Sequence, residues 1–161
     1  LLGEKINLNA NDGANNLHGG NVGFSHKVWN IDELSENDCS VTLSLFSGDG
    51  EEGFPGNLNI KMTYTLTKNN SLKIEYIAVS DKDTVINLTN HSYFNLNGHS
   101  SGTVDNHILM LESEYYTPNN SECMPYGEIL KTENTAFSFD GKHTLNDVFS
   151  SEEEQIKIDV D

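Results

Sequence analysis

Hydrophobic and polar residues alternate with a period of two along much of this chain. From Asn57 to Thr67, apolar Leu58, Ile60, Met62, Tyr64 and Leu66 alternate with Asn59, Lys61, Thr63 and Thr65, the pattern of a strand with one buried face and one wet face. Lys68-Asn69-Asn70-Ser71 predicts a turn, because Asn tolerates positive φ. Leu72, Ile74, Tyr76 and Ala78 then resume the alternation and complete a hairpin. Val41, Leu43 and Leu45 alternate in the same way against Thr42 and Ser44, and shorter strand-like runs fall at Lys27–Asp32, Thr84–Thr89, His107–Leu111 and Gln155–Val160. Helical signal is confined to Leu145–Glu154, with Asn146 or Ser150 as the candidate cap, and no apolar stripe extends past two turns. Many strands punctuated by Gly, Asn and Asp predict an all-β sandwich of antiparallel pairs. No repeat, low-complexity tract or Pro-rich linker divides the sequence, so the pattern predicts one domain over residues 1–161.

Composition narrows the partners. With 25 Asp and Glu against 9 Lys and Arg, the formal net charge is −16. Phosphate backbones and anionic lipid need clustered cations, so nucleic acid and membrane surfaces are disfavoured; a neutral ligand such as a sugar is unaffected. No run approaches the 18 or so apolar residues of a membrane span, and Leu1–Lys5 lacks the basic start and apolar stretch of a signal peptide. Two cysteines, Cys39 and Cys123, make no disulfide framework and no CxxC pair, which favours free thiols in the cytoplasm. The absence of an initiator Met suggests a chain that begins inside a longer protein.

Three segments are too specialised to be mere connectors. In Asn15–Phe24, Gly19, Gly20 and Gly23 permit tight turns and close approach, and they display His18 on a loop; the alternative is a hairpin loop whose His caps a carbonyl. In Ser47–Gly56 the carboxylates suggest a Ca²⁺ loop, but the alternating acidic order of an EF-hand is missing. A rigid Gly and Pro turn leading into the strand at Asn57 is the expectation, with no metal. In Thr84–Leu96 a continuing strand would put Ile86, Leu88 and Asn90 on one face, with Asn87, Thr89, His91 and Tyr93 on the other. An amide, a hydroxyl, an imidazole and a phenol in a row suit a polyhydroxylated ligand. A solvated strand face would read the same way, were bulky Tyr93 and Phe94 not so wasteful there.

Histidine exchanges protons near neutral pH, its reference value being about 6.5, so two on separate loops can form one acid/base site if the fold joins them. Zinc is poorly supported, since neither HExxH nor paired Cys spacing occurs. A Ser-His-Asp hydrolase lacks its GxSxG elbow.

These residues resemble the aldose 1-epimerases (galactose mutarotases). The resemblance is carried by Leu17-His18-Gly19-Gly20 with Gly23, Phe24 and Trp29, by Asp49–Gly56, and by Asn87–Leu96. Tyr116-Thr117-Pro118 and Pro125-Tyr126-Gly127 add to it. It implies an antiparallel β-supersandwich of the galactose mutarotase type that interconverts the α and β anomers of aldoses such as glucose and galactose. There, a base removes the C1 hydroxyl proton while an acid protonates the ring oxygen, the ring opens, C1–C2 rotates, and closure presents the opposite face. By position, His91 matches the general acid and His18 the second active-site histidine, near the ring oxygen; Ser92 and Tyr93 adjoin His91 in the sugar site. No cofactor or metal is implied.

The sequence also departs from that family. An upstream Arg that binds substrate is missing, as are a downstream sugar-binding Asp and the Glu that acts as base. The resemblance therefore implies the amino-proximal half of an epimerase, incomplete at both ends and inactive alone. A sugar-binding or regulatory domain without turnover is the alternative reading, and a structural fragment with unpaired strand edges a third.

Overall fold

The computed structural model describes residues 1–158. The chain forms two compact units, one from Leu1 to Asn90 and the other from His91 onward, and each is described by itself.

The first unit is built on a four-stranded antiparallel meander in the order β1-β2-β3-β4. Its strands are β1 (Asn30–Ser35), β2 (Ser40–Ser47), β3 (Leu58–Leu66) and β4 (Leu72–Ser80). The two long hairpin strands match the alternation in the sequence. Their register pairs Ile60 with Ala78, Met62 with Tyr76 and Tyr64 with Ile74, and on the other side Leu45 with Ile60 and Leu43 with Met62. One face therefore collects the apolar residues. The turn between β3 and β4 closes where Asn70 takes φ 58 and Thr67 N donates to Ser71 O at 2.8 Å. β1 begins three residues later than the Lys27–Asp32 expectation, and its register slips between Ile31 and Glu33.

The core is small. Leu45, Leu58 and Ile60 form its centre, and Phe24, Trp29, Ala78 and Leu88 pack on it. Only Ile60 reaches 0% exposure, while Ile31 and Leu34 on the same sheet stand 71% exposed. The opposite face is wetter. There Thr42 and Thr63 share a hydroxyl hydrogen bond at 2.9 Å, and Asp32 accepts from Ser44 at 2.5 Å and pairs with Lys61 at 2.8 Å. The Lys61 ammonium, with Ser44, holds the Asp32 carboxyl below its ordinary value. On the apolar face the Tyr76 hydroxyl is buried with no hydrogen-bond partner among the described residues, and burial pushes its proton affinity up.

The second unit pairs short strands: β5 (Ile108–Met110) with β8 (Asp140–Thr144), and β6 (Tyr115–Tyr116) with β7 (Leu130–Lys131), all antiparallel. Tyr116 stacks on Phe137 with centroids 4.5 Å apart, and Pro118 is fully buried. β5 agrees with the His107–Leu111 expectation. β6, β7 and β8 went unpredicted; Asp140–Thr144 is polar throughout and carries no alternation.

Three expectations need correction. The helix expected over Leu145–Glu154 is α1 (Leu145–Phe149), and its N-cap is Thr144, not Asn146 or Ser150. Thr144 and Asp147 form a reciprocal capping box, which satisfies two orphan N–H groups. Gln155–Val160, expected as a strand, gives α2 (Glu154–Ile158), with 159–160 outside the described residues. Alternating Ile156 and Ile158 suggested a strand, but Glu154 and Lys157 complement a helix dipole, and the Gln155 side chain exchanges two 2.8 Å bonds with the Asn119 backbone. Thr84–Thr89 joins no ladder. Within it Leu88 packs on the core, and just beyond it Asn90 Nδ2 donates to the Tyr64 hydroxyl at 3.0 Å.

These packing differences are measurable by urea unfolding. Ile60→Ala should cost about 2–5 kcal/mol, whereas Ile77→Ala on the wet face (65% exposed) should stay within about 0.5 kcal/mol. Tyr76→Phe removes an unpaired hydroxyl and should be neutral or slightly stabilising; a loss above about 1 kcal/mol would show that the hydroxyl has a partner.

Candidate active site

His18 stands in a run of left-handed backbone. Its φ is 53, followed by 85 at Gly19 and 109 at Gly20. Glycine tolerates that region freely, but a residue with a side chain does so at a cost of about 1–3 kcal/mol. Side chains from elsewhere hold the loop. Asn11 accepts from Leu17 N at 2.8 Å and donates Nδ2 to the carbonyls of Leu17 and Gly20, each at 2.9 Å. Asn16 Nδ2 donates to Asn9 O at 2.7 Å. Beyond the turn, Gly23 lies so close to the His18 carbonyl that any Cβ there would overlap it. The chain next makes a 3₁₀ turn at Phe24–His26. It is anchored where Trp29 Nε1 donates to Phe24 O at 3.0 Å, with both rings against the core. The imidazole of His18 is exposed.

The segment expected to be a Gly and Pro turn does more than lead into β3. Glu51 pairs with Lys27. The Glu52 carboxylate accepts from Asn9 Nδ2 at 2.6 Å, Val22 N at 2.8 Å and Asn21 N at 3.1 Å. Asp49 accepts from Gly56 N at 2.6 Å and meets Lys82 at 2.5 Å, and Asp81 holds Asn57 through two 2.7 Å bonds. Each carboxylate thus has internal donors, and no group of three metal-ligating side chains occurs among the described residues. The sequence reading missed Glu52. Its partners lie 30 to 43 residues away, beyond any local spacing signal.

His91, Ser92 and Tyr93 open the second unit and are exposed. The rings of His91 and Tyr93 lie 5.1 Å apart at 47°, as residues two apart on one side of an extended chain do. Tyr93 is 80% exposed, so the bulky aromatic that made an open surface look wasteful stands on one. Downstream, Leu96 N donates to His107 Nε2 at 2.9 Å. A cleft in this unit, beside Phe139, His143, Asp147 and Glu153, is lined by none of the expected site residues. Two of its carboxylates already serve structure: Asp147 accepts from Thr144 N at 2.8 Å in the capping box of α1 and Glu153 accepts from Ala136 N at 2.6 Å.

Comparison with known proteins defines the class to which this antiparallel framework and its histidine loop belong. The family model for aldose 1-epimerase matches residues 1–159. The chain is 48% identical over 140 residues to an aldose 1-epimerase of Haemophilus influenzae, covering 86% of this chain and 40% of that protein. It is 40% identical over 135 residues to a galactose mutarotase of Homo sapiens, covering 84% and 38%. The crystal structure of a galactose 1-epimerase from Lactobacillus acidophilus superposes with a TM-score of 0.85 at 34% identity, covering 95% of this chain and 45% of that one. This chain belongs to the aldose 1-epimerase family. Its fold is that of the galactose mutarotases, in line with the antiparallel sandwich expected from the sequence. It spans less than half the length of the relatives it matches.

The loop's dependence on Glu52 has a pH signature. Bonds from Asn9, then Val22 and Asn21, hold that carboxyl below its ordinary 4.5. The native state therefore binds fewer protons than the unfolded state in that range. The clamp is intact above 4.5 and is lost as pH falls through the lowered value. On acidification below about pH 4.5 the amide resonances of Asn21 and Val22 should shift together, and Glu52→Gln should abolish the shift. Gly23→Ala should displace the His18 carbonyl and broaden the same resonances; unchanged spectra would contradict the close approach.

Proposed function

We propose that this chain supplies the acid side of an aldose 1-epimerase reaction on free aldohexoses such as glucose and galactose. In this reading His91 is the general acid that protonates the ring oxygen, His18 bonds the sugar beside that oxygen, and Ser92 and Tyr93 complete the contacts to sugar. Residues 1–161 are read as amino-proximal sequence of one β-sandwich domain. The observation that carries the proposal is the display of His18: an exposed imidazole on a backbone that costs free energy, fixed by side chains from two other segments. The exposed pair of His91 and Tyr93 adds an imidazole beside an aromatic edge, the combination that suits a pyranose.

The chemistry follows from those groups. An imidazolium at His91 gives its proton to the ring oxygen while a general base outside those groups takes the C1 hydroxyl proton. The C1–O5 bond breaks to leave the aldehyde, and rotation about C1–C2 precedes reclosure, in which both protons return. The carboxylates of the first unit's turn are committed to internal donors, so the proposal draws no base from them, and residues 1–161 alone are expected to turn over little sugar. No helix among the described residues is long and apolar enough to cross a membrane. The free, exposed thiols of Cys39 and Cys123 suit the reducing cytoplasm we propose as its location.

Polarimetry on freshly dissolved α-glucose and α-galactose tests this. The protein expressed from its complete reading frame should accelerate mutarotation, and His91→Ala should lower kcat by about 10²–10⁴, the worth of one positioned acid. Residues 1–161 alone should give the buffer rate. Sugar binding without turnover by the complete protein would favour the non-catalytic alternative, and full activity in His91→Ala would end the assignment of the acid.

A further inference from the structure

We propose that Glu52 is a positioning residue for the sugar reaction, acting through the loop that carries His18. The inference rests on the reading of His18 as a sugar-contacting residue and adds to it a group outside the sugar site. Three donors converge on one carboxylate. Oε2 accepts from Asn9 Nδ2 and Asn21 N, and Oε1 from Val22 N. Asn21 and Val22 follow directly on the left-handed run at 18–20, so their N–H groups, turned outward by that run, are the ones a ladder would otherwise satisfy. Asn9 ties in the segment whose carbonyl holds Asn16. Both sides of the histidine turn thus meet at Glu52.

Glu52 itself takes φ 51 inside the short 3₁₀ turn at Glu51–Gly53, a conformation that aims its side chain at the loop. Gly20 is buried with φ 109, and a Cβ there would overlap the Glu52 carboxylate. Gly53 is packed equally tightly on the Asn7 carbonyl, and Asn9 N donates to Glu52 O at 3.4 Å. The ion pair of Glu51 with Lys27 holds the same turn from the other side, and the Lys27 ammonium lies 5.9 Å from the Phe24 ring centroid. A turn serving only to lead into β3 has no use for a buried glycine shaped to its carboxylate on a loop distant in sequence. A turn that sets the place of an imidazole does.

A double-mutant cycle in the protein expressed from its complete reading frame tests this, read as kcat and KM by polarimetry with thermal melting as a control. Glu52→Ala should lower kcat by about 10- to 100-fold, the scale on which misplacing a catalytic group acts, with little change in KM. Glu52→Gln keeps the shape but turns an N–H toward a donor in either amide orientation, so it should lose nearly as much; it carries the test if Glu52→Ala fails to fold. In a His18→Ala background either change should cost less than about twofold more, because residues acting through one another are not additive. Wild-type kcat in Glu52→Gln, or losses that multiply in the double variant, would overturn the positioning role while leaving His18 in place. Wild-type activity in His18→Ala alone would overturn the sugar-contacting role of His18 and this inference with it.

Discussion

The backbone around His18 is the constraint that ties together the loops of the first unit. Three successive residues in the left-handed region form neither helix nor strand, so the turn gains nothing from a ladder and persists only if others satisfy its polar groups. Asn11 does so from one side and Glu52 from the other. Packing holds the ends, through Gly23 against the His18 carbonyl and through Phe24 and Trp29 on the core. The contacts hold the backbone from Leu17 to Val22, and in the proposed reading a backbone fixed in this way is what preorganises the histidine it carries. The small size of the core, with Ile60 alone fully withdrawn from solvent among its three central residues, makes these polar ties weigh more than they would in a larger domain.

How much of this was legible in the sequence follows from the range of each interaction. β3 and β4 were readable because their alternation is long and the Asn69-Asn70 turn is local. β8 was not, because Asp140–Thr144 is polar and owes its place to β5. Glu154–Ile158 was misread because two alternating isoleucines outweighed a helix whose anchor, Gln155 on Asn119, lies 36 residues away. Thr84–Leu96 alternates as a strand would, and part of that alternation is real: Leu88 and Asn90 face the sheet, and the rings of His91 and Tyr93 share a side. What the pattern does not encode is whether a neighbour supplies hydrogen bonds. The candidate site divides in the same way. His18 and His91 were visible from the residues around them, whereas Glu52 was hidden among acidic neighbours and set apart only by long-range donors.

Membership of the aldose 1-epimerase family and the exposed imidazoles give the molecule a consistent chemical character. A net charge of −16 does not impede a neutral sugar. The carboxylates of Asp49, Glu51 and Glu52 are held by backbone amides, an asparagine and two lysines. The acidic turn that resembled a metal loop is thus structural in its contacts and, through Glu52, directed at the loop that bears a histidine.

The most direct measurement of the central claim is an NMR titration of the histidine side chains with galactose, in the protein expressed from its complete reading frame. The account predicts that the ring resonances of His18 and His91 both move, with a common midpoint, while those of His107, committed to Leu96, stay fixed. Saturation that leaves either His18 or His91 unmoved would contradict it.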